Sequence, residues 1–134
     1  MKKINLLAGL VLIVLFLGTG YYMMGFFKPQ HLEDLTMRMQ IRASHIYILF
    51  IALLNILSFK CDLTLEHTIS RYLDFSFRTL LLISGLLAIF GFIYEHSGDL
   101  SERTVTLFSV VSSLASVTLM LFNELLVSVA KRTK

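Results

Sequence analysis

Arg38, Arg42 and His45 lead directly into the apolar run Ile46-Tyr47-Ile48-Leu49-Phe50, and Glu95 and His96 close another such run. Brought to one level, residues of these types could do three kinds of chemistry. Imidazoles on two different helices can clamp a haem iron, which makes His45 and His96 the candidate ligands of a b-type haem. An arginine facing a carboxylate can neutralise or gate an anion, and Arg42 opposite Glu95, with His45 one turn deeper, is the first pairing expected. A carboxylate at membrane depth can carry a proton, because low dielectric raises the pKa of an unpaired acid. Glu124 is that carboxylate, with Arg78 as its expected partner and Asn55 and Asn123 at similar depth. His31, Glu33, Asp34 and Asp99 match no tight metal-ligand spacing, so no metal is expected, and no cofactor beyond the haem alternative.

The elements that must position these groups are read from composition. Of 134 residues, 56% are hydrophobic and 16% charged, and the mean hydropathy is +0.76. A soluble domain of this size carries far more charge, so the chain reads as an integral membrane protein. Four apolar runs stand out: Ile4–Phe27, Ile41–Phe59, Thr79–Tyr94 and Val105–Ala130. Each approaches or exceeds the ~17–25 residues that cross a hydrocarbon core of ~30 Å. None alternates as a barrel strand does, and backbone in lipid must satisfy its own hydrogen bonds, so each is expected to be a helix. The fold class is therefore all-α, a single domain of four transmembrane helices in a compact bundle. The basic start and apolar core also fit a secretory signal ending at Gly18-Thr19-Gly20. The run continues through Phe27, beyond the length of a signal core, so it is expected to stay as the first span.

Connections and charge add topology. Leu65, Ile69, Tyr72 and Leu73 recur at helical intervals in the second connection, which predicts a short interfacial helix there. Pro29 ends or kinks the first helix, and the segment after it begins an outer interfacial turn. Gly98 suits a helix C-cap, and Asp99 or Ser101 can cap the fourth helix. Eight lysines and arginines fall at the termini and second connection (Lys2, Lys3, Lys60, Arg71, Arg78, Lys131, Arg132, Lys134), against four elsewhere (Lys28, Arg38, Arg42, Arg103). Cytoplasmic segments carry the excess, so both termini are expected to be cytoplasmic, in a plasma or bacterial inner membrane. The net charge of +3 is spread along the chain and forms no stripe for nucleic acid, and Cys61 stands alone.

A period of about 100° per residue predicts which faces meet. On the fourth helix Ser109, Ser112, Ser113, Ser116, Met120, Asn123 and Glu124 share an arc, with Leu114, Leu121 and Leu125 opposite. The third aligns Ser84, Ala88, Gly91 and Glu95. The first gathers Asn5, Ala8, Gly9, Thr19 and Gly20. The second gathers Arg38, Arg42, His45, Ala52 and Asn55. Small and polar faces are what hold helices together in lipid, where no hydrophobic force between them exists.

Three functions fit this pattern. With no phosphate loop, zinc motif or nucleophile elbow in the chain, the first is a non-catalytic accessory or scaffolding component, partnered by lipid and by other subunits or further copies of itself. The second is a small proton- or anion-coupled transporter acting as an oligomer, and the third is the haem protein. Arg42-Ala43-Ser44-His45, opening the second of four helices, is similar to the membrane-associated eicosanoid and glutathione metabolism proteins. That family continues with an asparagine and a glutamate, where this chain has Tyr47 and Phe50, so the resemblance carries no glutathione chemistry here.

Overall fold

The computed structural model describes residues 1–30, 33–60, 68–95 and 103–132, and among them the only regular structure is helical. Helix α1 (Lys2–Tyr22) passes through a π-helical turn (Met23–Phe27) into a last turn, Lys28–Gln30. Helices α2 (Leu35–Lys60), α3 (Thr68–Tyr94) and α4 (Thr104–Arg132) complete the described chain. All four are long and apolar enough to cross a membrane, each over a span of 26 residues. At 1.5 Å per residue such a span measures about 39 Å, enough for the hydrocarbon core with a turn to spare. The chain is a small four-helix membrane protein.

Pro29 acts as its chemistry requires. It has no N–H to return to Gly25, and the Lys28 N–H instead reaches back five residues to the Met23 carbonyl. The wider turn accommodates the lost bond before the helix stops. Helix α2 starts earlier than its apolar run because Asp34 caps it: the carboxylate accepts from Met37 N (2.9 Å) and the Asp34 carbonyl from Arg38 N (3.2 Å).

The second connection differs from expectation. Ile69, Tyr72 and Leu73 belong to the first turns of α3, which begins at Thr68 and runs unbroken to Tyr94, rather than to a separate interfacial helix. The polar residues that suggest an interface find partners inside the bundle, Ser70 on α4 and Asp74 one turn along α3. Leu65, Gly98, Asp99 and Ser101 lie outside the described residues.

Packing follows the chain: α1 on α2, α2 on α3 and α3 on α4, so α2 and α3 form the middle and α1 and α4 the flanks. The core gathers Leu12, Phe27, Ile41, Ile48, Ile51, Ala52, Ala88 and Phe92, with Phe77 and Leu81 forming a second cluster. Leucines and phenylalanines such as Leu7, Leu17, Leu86, Phe108, Leu114 and Leu125 point outward. So large an apolar exterior is a liability in water and the ordinary surface of a protein in lipid.

Small residues set the helix separations. A Cβ on Gly9 would stand 2.9 Å from the Ala52 carbonyl and 2.7 Å from Ile56 Cγ1, so α1 and α2 touch backbone to backbone there. Along α4 the seam is Ser109, Ser113, Ser116 and Asn123, all buried. Ser109 Oγ donates to the Ser84 carbonyl (2.8 Å) and Ser116 Oγ to the Phe77 carbonyl (2.7 Å), two ties from α4 to the backbone of α3.

Candidate functional site

Among the described residues the densest polar cluster lies near the end of the bundle that carries the termini. Asn5 comes from α1, Asn55 and Ser58 from α2, and Asp74 and Arg78 from α3. Asn5 Nδ2 donates to Asn55 Oδ1 (2.9 Å) and to the Arg78 carbonyl (3.1 Å). Asn55 Nδ2 donates to the Ile51 carbonyl (3.0 Å), and Ser58 Oγ to the Asn55 carbonyl (2.7 Å). The fully buried Arg78 donates through Nε to both oxygens of Asp74 (3.1 and 3.0 Å) and through Nη1 to the Ser58 carbonyl (2.8 Å). Its guanidinium carbon stands 4.7 Å from the centroid of the Phe77 ring. A buried guanidinium needs both a counter-charge and acceptors for its fork of donors, and α2 and α3 supply them together.

This arrangement corrects two expectations. Arg78 pairs with Asp74 on its own helix, and Glu124 is exposed on α4. Asn123 is buried, but its partner is Ser70, whose Oγ donates to Asn123 Oδ1 (2.9 Å). Asn55 is in the cluster as expected. Asp74, Ser58 and Ser70 escape the sequence reading of these contacts. For Asp74 a signal is present, since an acid four residues before an arginine shares its helix face.

At the opposite end the outer set separates. Glu95 does not meet Arg42. Its carboxylate caps α4: Oε1 accepts from Val105 N, and Oε2 from Thr106 N (2.9 Å) and from Thr106 Oγ1. The first turn of a helix presents unpaired N–H groups and the positive end of its dipole, so a carboxylate there is doubly favoured. Gly91 makes the approach possible, since a Cβ at that position would stand 2.6 Å from Thr106 Oγ1. Glu95→Gln is therefore expected to lower stability by about 1 kcal/mol, the usual worth of a cap, read as a downward shift in thermal unfolding in detergent. Arg42→Gln combined with it should add independently.

Arg42 is exposed, and Arg38 is half-buried beside it. His45 turns toward α1, its ring stacked on Phe16 with centroids 4.0 Å apart and Nδ1 2.9 Å from Thr19 Oγ1. The Thr19 hydroxyl hydrogen goes to the Phe16 carbonyl (3.0 Å), so in this arrangement His45 Nδ1–H is the donor to Thr19 Oγ1. His45 thus binds α1 to α2 instead of supporting an Arg42–Glu95 pair. Arg103, at the start of α4, donates through Nη2 to Ser44 Oγ. Gln40 is buried, and among the described residues neither of its amide atoms has a hydrogen-bond partner; hydropathy gives no sign of this polar core residue. His96 lies outside the described residues, so of the two haem-ligand candidates only His45 has a described environment.

Chemically, the described groups at membrane depth mostly tie helix to helix: asparagine to asparagine, arginine to the carbonyl of a neighbouring helix, carboxylate to helix N-terminus, with the arginine–aspartate pair closed within one helix. No protein-family model, curated protein or solved structure matches this chain.

Proposed function

We propose that this chain is a non-catalytic accessory or scaffolding component of a membrane complex, seated in the bacterial inner membrane with both termini cytoplasmic. The supporting observation is the engagement of Asp74, Arg78 and Glu95, which serve bonds within the bundle in place of a reaction centre. Exposed flanks on α1 and α4 give area for another subunit or a second copy. The alternative of a transporter acting as an oligomer places its coupling acid at Glu124, which is exposed on α4 of the single chain.

The test is a tagged chain expressed at its natural level and extracted in mild detergents. A stoichiometric partner subunit, or a defined homo-oligomer, is the expected result. A lone monomer in every detergent overturns the proposal. The orientation rests on the excess of basic residues at the termini and second connection. Reporters fused after Lys134 are expected to read cytoplasmic, and an external reading would invert the topology.

A further inference from the structure

We infer that the end of the bundle opposite the termini holds a binding site for a phosphate-bearing anion, presented by a phospholipid headgroup or as free phosphate. A cavity of about 160 Å³ opens there between the end of α1 and the start of α2. Three cations line it, Lys28, Arg38 and Arg42, above a floor that includes Met23, Phe27 and Ile41. Phe27 and Ile41 are buried in the core, so the floor is fixed. Met24 and the nearby Phe26 are exposed on the outer surface, a track along which acyl chains can lie.

The π-helical turn builds this site. It inserts one residue into the last turns of α1, which rotates the helix end so that Phe27 faces inward while Lys28 reaches the cavity rim. On α2, Arg38 and Arg42 are one turn apart and share a face. Guanidinium groups suit phosphate because their planar donors engage two oxygens at once. Arg38 also has a contact within the protein, so Lys28 and Arg42 carry the inference.

Two carboxylates on the same connection do not line the cavity. Asp34 is turned to cap α2, and Glu33 is exposed. Cations at a membrane boundary over an apolar floor have the division of a phospholipid itself, with phosphate at the rim and hydrocarbon beneath.

The test uses the full chain in nanodiscs of phosphatidylcholine with a minor share of phosphatidylglycerol, with retained lipid counted by native mass spectrometry. Phosphatidylglycerol is expected to be retained in preference to phosphatidylcholine. Each surface cation contributes about fivefold to such association, so Lys28→Gln should weaken it about fivefold and Lys28→Gln with Arg42→Gln about thirtyfold. A parallel arm offers inorganic phosphate to discs of phosphatidylcholine alone. Phosphate binding that the same variants abolish assigns the site to a soluble anion; retention of phosphatidylglycerol without phosphate binding assigns it to lipid. If the double variant fails to fold, the wild-type preference for phosphatidylglycerol, and its loss at high salt, still decides. Equal retention of both lipids by the wild type, with no phosphate binding, overturns the inference, as does a fully folded double variant that binds like wild type.

Discussion

Arg78→Met is expected to lower the stability of the bundle by about 3–5 kcal/mol, the range for removing one partner of a buried ion pair. The substitution keeps most of the side-chain volume, so the loss reports the polar contacts. It strands the Asp74 carboxylate and leaves the Ser58 carbonyl without the Arg78 donor. Asp74→Asn should also be costly, because the guanidinium it leaves behind is fully buried. The double variant should lose less than the two singles together, since neither charge is then stranded. Reversible unfolding in mixed micelles, with helical content as the signal, gives all three values.

Gly9→Ala should destabilise by about 1–3 kcal/mol, the cost of forcing extra volume into a packed contact. The added carbon meets the Ala52 carbonyl, and backbone cannot step aside as a side chain can. Helices α1 and α2 must separate, and the bonds from Asn5 to Asn55 and from His45 to Thr19 lie on the same interface. Gly18→Ala is the control. Nothing stands within 4 Å of a Cβ there, so that change should be neutral or stabilising. Equal effects at the two glycines would mean that α1 does not pack at Gly9.

The four spans are legible because hydropathy is a property of each segment alone, and α1 and α4 begin and end near the apolar runs that predict them. Helix α2 gains its extra first turns from the Asp34 cap, which hydropathy does not register. The start of α3 is not legible, because Ser70 and Asp74 look interfacial until their partners Asn123 and Arg78 are in place. Faces are legible in part. Ser109, Ser113, Ser116 and Asn123 do face the interior of α4, but their spacing of four, three and seven residues draws a narrow seam that excludes Glu124. On α2 the buried stripe runs through Ser44, Ile48, Ile51, Asn55 and Ser58. The arginines pull the predicted face toward Arg38 and Arg42, although the cost of burying a charge is equally a reason for it to stay at the surface. An Arg42–Glu95 pairing matches residues by depth and by side chain. Glu95 finds backbone amides instead, partners that no comparison of side chains contains.

If buried polar groups hold these helices together, the bond between Asn5 and Asn55 must contribute to the stability of the bundle. Both side chains are fully buried, they come from different helices, and the bond between them spans 2.9 Å. The decisive measurement is a double-mutant cycle of Asn5→Leu and Asn55→Leu, with unfolding followed in a bilayer. Interhelical hydrogen bonds in membranes couple by about 0.6–1.7 kcal/mol, and a coupling within that range is expected. Strictly additive losses would refute the role given to these polar groups, leaving apolar packing alone to hold α1 against α2.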